Sequence, residues 1–453
     1  MVRHSDRSEL WEQLRKQLVL RPGTPARELV PSLRIAQASF SRLVSRHADG
    51  LLVTGKGRST RYALRRAVFD LGDRVPLFEI DEHGTARKLA TMHAVTPGGY
   101  YVEAHAADID DGFHGDLPYF IEDLRPSGFL GRLVPLQHPE LGFPADVRMW
   151  SGDQSAAYLS RFGWNGSGAL ILGDAAFKLY LEHSASLPSA LAEAERGEHY
   201  ASVAEDVLRA GAPGSSAGGE QPKFLVTRAG GQHLLVKFSP AGRAPAARRI
   251  ADLLVAEHLA HEVLRRHGVT TPRSRILRAR ERTFLEVERF DRTHSGRRGL
   301  VSLLALDAEF VGDMRSWSHS VARLATKQLV PPGSLERVRW LEAFGHLIAN
   351  TDMHPANVSF LVRGVRVLDL APVYDMQPAL YAPQQSEIIE RKWSAPVPEP
   401  SAASYWSDVC GAAEEYWAEV AHSPHVSADF RAISSANASK VTAARALAAR
   451  LPT

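Results

Sequence analysis

The sequence predicts an α+β protein in which a small winged helix-turn-helix unit precedes a larger two-lobed body. The unit covers residues 1–66, a β-rich first lobe covers 67–300 and a mainly helical second lobe covers 301–453. Three observations support this division. Apolar residues repeat at helical spacing near the start, alternate as in strands between about 220 and 290, and mostly return to helical spacing after 300.

Charge is distributed unevenly along the 453 residues, whose net charge is +3. Residues 1–66 contain 14 Lys and Arg against 5 Asp and Glu, which gives +9. The remainder contains 40 against 46, which gives −6. A basic unit ahead of an acidic body indicates that the first unit is the part that binds a polyanion.

The basic unit is predicted to contain three helices and a hairpin. The segment SELWEQLRKQLVL has its apolar residues at helical spacing, and a second helix is expected to follow Thr24 as N-cap, with Pro25 in its first position. A third helix buries Phe40 and Leu43. The segment LLVTGKGRSTRYALRR then predicts two short strands around a Gly-Lys-Gly turn. This order of elements is typical of a winged helix-turn-helix domain.

The same unit is therefore predicted to bind DNA. Gln37, Ser39 and Arg42 of the third helix would contact base edges, and Lys56 and Arg58 of the hairpin would contact phosphates. The alternative is a small helical domain whose basic residues are merely solvated. Proteins of this fold commonly dimerise on palindromic sites, so a homodimer is compatible with the prediction.

The composition excludes several classes of protein. Cys410 is the single cysteine, so the chain can form no internal disulfide and no cysteine-based zinc site. No apolar run reaches about 18 residues, and the start lacks the apolar segment of a secretory signal. We expect a cytoplasmic protein with no membrane partner.

The first lobe is predicted to contain a β-rich subdomain, 67–150, a helical region, and a strand-rich segment, 211–292. In that last segment, two strands flank Gly230-Gly231, and the second strand, HLLVKF, carries Lys237 among apolar residues. A long amphipathic helix follows and ends at Gly268. The segments RSRILRA and RTFLEVERFDR are two further strand candidates.

A polar segment, NTDMHPANVSF, lies between a predicted helix and a predicted β hairpin. Asp352 and Asn357 are five residues apart in it, and Asp375 follows the hairpin. Phosphoryl transfer uses this order: one carboxylate accepts the proton of the attacking hydroxyl, while an amide oxygen and a second carboxylate hold Mg²⁺. Alone, such an Asp and Asn pair is more often a capping or turn arrangement.

Lys237 and Glu257 extend this pattern. Glu257 lies 20 residues after Lys237, in the amphipathic helix. A buried lysine needs a partner carboxylate, and the pair can then clamp the phosphates of a nucleotide. Lysine and glutamate at such a separation are usually surface charges. All five residues in this order and structural context indicate a phosphoryl-transfer site.

The body from about residue 70 to 450 resembles the HipA family of serine/threonine-protein kinases, the toxin half of bacterial toxin–antitoxin pairs. The segments SAGGEQPK, LLVKF, VERFDR and NTDMHPAN…YD carry the resemblance. The fused N-terminal unit points to the YjjJ-type branch. The resemblance implies a bilobal protein-kinase-like fold, the cofactors ATP and Mg²⁺, and a protein substrate, for example a translation factor such as an aminoacyl-tRNA synthetase.

The resemblance also implies roles for individual residues. Asp352 would be the catalytic base, Asn357 and Asp375 the metal ligands, and Glu257 the ion-pair partner of the lysine. The implied nucleotide-binding residues are Lys237, Glu288, Phe290, His354, Asn357 and Asp375. Met376-Gln377, not Phe-Gly, follows Asp375, although the family as a whole does not keep that signature, and Ala356 stands where the family often has a lysine.

The glycine-rich stretch APGSSAGGEQPKFLV precedes the strand of Lys237. It is not a Walker loop, because Glu220-Gln221 stands where Lys-Ser/Thr must follow the last glycine. Its position matches the glycine-rich cover over the ATP phosphates of a kinase. The resemblance implies that Ser216 in this loop is autophosphorylated, with Ser215 as the alternative.

Two other functions remain open on the sequence. The protein could be a DNA-binding transcriptional regulator whose kinase-like body only binds nucleotide or a partner, or a small-molecule phosphotransferase with the same loop order. For a kinase, the N-terminal unit could supply in cis the DNA binding that HipA proteins usually receive from a separate antitoxin. It would then serve autoregulation.

Overall fold

The structure is a computed structural model that describes residues 4–185, 192–210, 221–228 and 231–447. The chain forms two compact units. The first comprises the described parts of Met1–Ile80, Thr85–Arg125 and Met149–Ala185, and the second comprises those of Asp81–Gly84, Pro126–Arg148 and Ser186–Thr453. Among the described residues, no helix combines the length and apolar character needed to cross a membrane.

The start of the first unit has winged helix-turn-helix architecture, as predicted. Its elements are α1 (His4–Leu20), β1 (Thr24–Pro25), α2 (Ala26–Ser32), α3 (Gln37–Arg46), β2 (Leu51–Thr54) and β3 (Arg61–Leu64). The strands form an antiparallel sheet in the order β1-β3-β2. Leu14, Leu18, Leu29 and Phe40 are fully buried in the core between the helices and this sheet.

The predicted start of the second helix was wrong by one residue. Thr24 and Pro25 pair with Tyr62 and Arg61 as the short strand β1, so both are extended. Pro25 is the N-cap of α2, and no side chain caps the helix there. The Thr24 hydroxyl donates instead to the carbonyl oxygen of Arg21 at 2.5 Å. Sheet pairing across the domain thus overrides the local capping preference.

The rest of the first unit is a five-stranded antiparallel sheet in the order β7-β6-β5-β4-β8, with helices. Its elements are β4 (Arg74–Ile80), β5 (Ala86–Ala94), β6 (Tyr100–Ala104), β7 (Gly112–His114), α4 (Tyr119–Glu122), α6 (Gly152–Phe162), β8 (Leu170–Leu172) and α7 (Asp174–Ala185). Another helix, α5 (Gly128–Gln137), belongs to the second unit. The wing hairpin packs on the sheet, because Leu52 and Ala63 share a cluster with Val95 and Tyr101. The first compact unit therefore runs across residue 66, and the domain boundary there stays a prediction.

The second unit contains a four-stranded antiparallel sheet with a helix on each face. The sheet has the order β11-β12-β10-β9. Its elements are α8 (Arg196–Ala210), β9 (Lys223–Thr227), β10 (His233–Phe238), α9 (Pro245–Arg266), β11 (Ser274–Ala279) and β12 (Arg282–Glu288). Leu234, Val236 and Phe238 pack with α8 on one face, whereas Leu254 of α9 packs with Leu285 on the other. Side chains alternate along a strand, so Lys237 faces α9.

The remainder of the second unit is mainly helical, as predicted, around a small three-stranded sheet. Its elements are β13 (Gly299–Ser302), α10 (Leu303–Phe310), α11 (Trp317–Thr326), α12 (Ser334–Leu347), β14 (Ser359–Arg363), β15 (Arg366–Leu370), α13 (Trp406–His422) and α14 (Ala428–Ala446). Ser427 caps α14 and also donates its hydroxyl to Asp252 of α9 at 2.6 Å. This contact anchors the last described helix to the helix that carries Glu257.

On the face of the four-stranded sheet that packs against α8, one charged cluster is buried. Arg196 of α8 donates to both carboxylate oxygens of Glu286 at 2.7 and 3.0 Å, and the Tyr200 hydroxyl donates to the same carboxylate at 2.6 Å. Arg196 and Glu286 are at most 3% exposed. A buried ion pair of this geometry fixes the position of the helix on the sheet.

We expect Glu286→Ala to lower the free energy of unfolding by about 3 kcal/mol, because it leaves the Arg196 charge buried without its main partner. Glu193 also contacts Arg196 but is 63% exposed, so it compensates weakly. The measurement is urea unfolding at pH 7. Asp206→Ala removes an exposed partner of Arg209 on the same helix and should leave stability nearly unchanged. Equal stability of the two variants would contradict the prediction.

Candidate active site

Lys237 of β10 and Glu257 of α9 form a buried ion pair. The Lys237 Nζ atom lies 2.7 and 2.9 Å from the two carboxylate oxygens of Glu257. Lys237 is 3% exposed and Glu257 is 1% exposed. The pair forms because β10 directs Lys237 toward α9 and the helix presents Glu257 to the same space. The structure thus contains the contact between these two residues that the sequence predicted.

Asp375 adds a second carboxylate to this pair, since Lys237 Nζ also donates to Asp375 Oδ1. The Asp375 backbone has φ +54°, in the left-handed region. Burial opposes ionisation of Asp375, but the charges of Lys237 and Lys223 outweigh it and lower its pKa to about 2. Burial likewise lowers the pKa of Lys237, but Asp375 and Glu257 outweigh it and raise that pKa above its ordinary value. The lysine and Asp375 are therefore both charged near neutral pH.

Lys223 is a functional candidate that the sequence analysis did not assign. It lies directly opposite Lys237 in the β9–β10 pair, so both side chains are on the same face of the sheet. Its charge contributes to the low pKa of Asp375. The sequence contains an indication of this contact. If the two strands that flank Gly230-Gly231 pair as a hairpin, Lys223 and Lys237 lie opposite each other, as they do in the structure.

The polar loop that follows α12 holds Asp352, His354 and Asn357. The Asp352 side chain is 62% exposed and lies 3.9 Å from His354 Nε2. Asn357 is buried and donates its side-chain amide to the Asp352 carbonyl oxygen at 2.6 Å. Within the described ranges, the Asp352 carboxylate accepts no hydrogen bond, so it is available to an incoming group.

Three side chains that the sequence analysis did not single out fix this loop, of which Trp317 and Asn350 are buried. The Trp317 indole N–H donates to the His354 carbonyl oxygen at 3.0 Å, and Asn350 Oδ1 accepts from the Asp352 backbone N–H at 3.0 Å. The Tyr374 hydroxyl donates to the Ala356 carbonyl oxygen at 2.8 Å. No local sequence pattern identifies these residues. Two of the contacts join residues that are far apart in sequence, and the third joins two residues of an irregular loop.

Tyr374 and Asn350 also connect the loop to the segment that carries Asp375. Tyr374 immediately precedes Asp375, and Asn350 Nδ2 lies 3.7 Å from the sulfur of Met376. The β14–β15 hairpin makes this possible by returning the chain beside its own starting point. The structure therefore brings the Asp352–Asn357 loop beside Asp375, and through Asp375 beside Lys237 and Glu257.

Glu288 and Phe290, two of the nucleotide-binding residues that the family resemblance implies, lie at and just after the end of β12. The Glu288 backbone N–H donates to the Arg273 carbonyl oxygen at 2.8 Å, so a backbone contact from Glu288 to an adenine would use its carbonyl oxygen. Phe290 stacks on Tyr374 with ring centroids 5.8 Å apart. The predicted autophosphorylation site, Ser216, and its alternative, Ser215, lie outside the described residues.

The residues present are compatible with a nucleotide-bound magnesium ion. The low pKa of Asp375 keeps its carboxylate ionised, and Asn357 Oδ1 accepts no hydrogen bond within the described part of the chain. The described residues contain no group of three or more His, Cys, Asp or Glu that could hold a metal by itself. Nucleotide phosphates would thus have to supply further oxygen ligands, as is usual for Mg²⁺.

The predicted DNA-binding residues lie on the winged helix-turn-helix part of the first unit. Gln37 and Arg42 are exposed on α3, and Ser39 is half-buried beside them. Arg42 Nε donates to the Ala38 carbonyl oxygen at 3.2 Å, so the guanidinium is folded along its own helix. Lys56 and Arg58 are exposed in the turn of the wing.

Two family models match separate segments of the chain after residue 70. Residues 71–181 match the model of the YjjJ-like toxin middle domain, and residues 215–444 match that of the HipA-like C-terminal domain. The chain is 36% identical over 429 residues to Toxin YjjJ of Escherichia coli (strain K12), covering 92% of this chain and 94% of that protein. The chain belongs to the HipA/YjjJ-type toxin family.

The solved structures include a similar member of this family. It is HipA of Shewanella oneidensis MR-1, in a toxin–antitoxin complex with HipB and operator DNA. It aligns with a TM-score of 0.51 and 14% identity, over 81% of this chain and 96% of the solved chain. This match confirms the predicted α+β, HipA-like fold class of the body.

The interaction of Asp375 with Lys237 predicts how the free energy of unfolding changes at low pH. The pKa of Asp375 in the folded protein, about 2, is lower than the value of about 3.9 expected in the unfolded chain. Its ionised form therefore stabilises the fold above about pH 4, and this stabilisation is lost as the pH falls from about 4 toward 2. Asp375→Asn should make the free energy of unfolding less dependent on pH in this range.

The measurement is urea unfolding of both proteins in steps from pH 5 to pH 3. Asp206→Asn, which removes an exposed carboxylate from the same unit, controls for the loss of one negative charge. A pH dependence in Asp375→Asn as steep as in the unaltered protein would show that Asp375 does not contribute in this way.

Proposed function

We propose that the protein is an ATP- and Mg²⁺-dependent serine/threonine-protein kinase. The observation that carries the proposal is the convergence of Lys237, Glu257 and Asp375 beside the loop of Asp352 and Asn357. These groups come from four separate segments of the chain. A structural ion pair would need only the lysine and one carboxylate, whereas phosphoryl transfer needs the whole set.

Each residue has a role in the proposed reaction. Lys237, held by Glu257, binds phosphate oxygens of the nucleotide, and Asn357 and Asp375 hold Mg²⁺, which neutralises phosphate charge. The Asp352 carboxylate accepts the proton of a serine or threonine hydroxyl as that oxygen bonds to the terminal phosphorus. The bond between that phosphorus and the bridging oxygen breaks, and ADP leaves with the electron pair.

The exposure of the Asp352 carboxylate favours a protein substrate, because a hydroxyl on a large partner can reach it. In this proposal the substrate is a protein, for example a translation factor such as an aminoacyl-tRNA synthetase. Ser216, or Ser215, would be modified in cis. Phosphate there would add about two negative charges to the loop proposed to cover ATP and would oppose nucleotide binding.

DNA binding by the winged helix-turn-helix part completes the proposal. Exposed Gln37, Arg42, Lys56 and Arg58 on α3 and the wing support it, together with the net charge of +9 over residues 1–66. The first unit would then regulate the chain's own operator or restrain its kinase. The second candidate function is that of a DNA-binding regulator. Its body would bind only nucleotide or a partner and would not transfer phosphate.

Incubation of the full chain with labelled ATP and Mg²⁺ tests the enzyme. We expect the chain to become labelled, and Asp352→Asn to lower the rate by about 10²- to 10⁴-fold because the general base is lost. Ser216→Ala should move or abolish the label. Asp313→Asn, an exposed carboxylate without a proposed role, should keep the full rate.

Labelling that Asp352→Asn does not reduce would contradict the proposed catalytic base. Binding of ATP without phosphate transfer, to the chain or to any protein of a cell extract, would favour the regulator instead.

Duplex DNA binding tests the first unit. Arg42→Ala combined with Arg58→Ala should weaken binding and reduce the steepness of its salt dependence, since fewer cations are displaced from the phosphates. Lys178→Ala combined with Arg209→Ala removes two exposed positive charges elsewhere and is the matched control. Identical salt-dependent binding of the two double variants would place DNA binding, if present, on another surface.

A further inference from the structure

The second unit contains a cavity of about 490 Å³ to which the proposed reaction assigns no role. It is bordered by the loop after α9, the first turns of α12, the end of β15 and the start of α13. Its volume is within the range of small-molecule sites, roughly 300–1,000 Å³. The residues that line it belong to a single compact unit.

Two aromatic side chains line the cavity, Trp340 of α12 and Tyr405 at the start of α13. The Trp340 indole N–H donates to Asp408 at 2.8 Å, and its ring is nearly parallel to that of Phe344 at 5.7 Å between centroids. These contacts fix the plane of the indole. A fixed aromatic wall beside the buried side chains of Leu341 and Val373 suits a flat, apolar ligand.

Arg339 supplies a charge for the recognition of such a ligand. It is half-buried and lines the cavity together with Tyr405. Across the described residues, no carboxylate forms a salt bridge with Arg339, and its guanidinium makes no hydrogen bond. An arginine without a partner at the wall of a cavity suits a carboxylate, which can accept two parallel hydrogen bonds from the guanidinium.

The other charged groups that border the cavity are already bound or face solvent. Arg337 lies 2.6 Å from Asp369, and His267 lies 2.9 Å from Glu415. Asp408 accepts the hydrogen bond from Trp340, and Glu336 is exposed in the first turn of α12. Arg339 is therefore the cation that can pair with an incoming anion.

We propose that this cavity binds a small planar aromatic carboxylate. Its ring would lie against Trp340 and Tyr405, and its carboxylate would pair with Arg339. The ligand would also contact Val373, whose backbone N–H donates to the Thr270 carbonyl oxygen at 2.9 Å and which precedes Asp375 by two residues. The site is independent of whether the protein is a kinase, but it borders the segment that carries Asp375.

Calorimetric titration of the full chain with indole-3-carboxylate, and with indole-3-carboxamide as its uncharged analogue, tests the proposal. We expect the acid to bind at least about tenfold more tightly than the amide, because a charge-assisted hydrogen bond is formed only by the acid. Arg339→Gln should remove this preference and leave binding of the amide unchanged. Arg323→Gln, which removes an exposed positive charge at the end of α11, should retain the preference.

Hydrogen exchange locates the bound acid. Slower exchange of the Val373 amide in its presence supports the cavity as the site. The proposal is overturned if neither compound binds, if the acid and amide bind equally, if Arg339→Gln keeps the preference for the acid, or if protection occurs only elsewhere. None of these results depends on ATP or on catalytic activity, so failure of the proposed kinase function would be recognised separately.

Discussion

The second unit is organised around one buried ammonium group. Lys237 Nζ contacts the carboxylates of both Glu257 and Asp375, so a strand, a helix and the segment after β15 meet at a single charge. Desolvation of that charge is unfavourable, and only close opposite charges compensate for it. The three elements therefore have little freedom to move apart.

The four-stranded sheet makes the cluster possible because one of its faces packs against α8 and the other against α9. Glu286 points from β12 toward α8 and binds Arg196, whereas Lys237 points from β10 toward α9. The alternation of side chains along a strand keeps the two charged clusters on opposite faces. The α8 face is stabilised by the buried Arg196–Glu286 ion pair and by aromatic packing. The face toward α9 carries Lys223 and Lys237 together, and Glu257 and Asp375 contribute the opposite charges there.

Much of this arrangement could be predicted from sequence, because it depends on local pattern and on order. The helical and strand periods predicted the winged helix-turn-helix architecture, β10, α9 and the β14–β15 hairpin. The spacing of acidic and amide residues predicted that the Asp352–Asn357 loop and Asp375 belong to one candidate site, and the structure places the two side by side. The parts that were not predicted depend on contacts between distant segments. Tyr374 and Trp317 fix the loop of Asp352 through backbone carbonyl oxygens, which any residue offers. Strand β8 has three residues, too few for a periodic signal. Thr24 is extended because of its pairing with Tyr62, 38 positions later.

The distance along the chain between the groups that meet at Lys237 has a consequence for synthesis on the ribosome. The lysine and Glu257 emerge together, but Asp375 emerges much later, and Ser427, which anchors α9 through Asp252, later still. An incomplete chain therefore carries the lysine and its first carboxylate without the second carboxylate or the anchor. The charge cluster at Lys237 is complete only once Asp375 has been synthesised, and α9 is anchored only once Ser427 has followed.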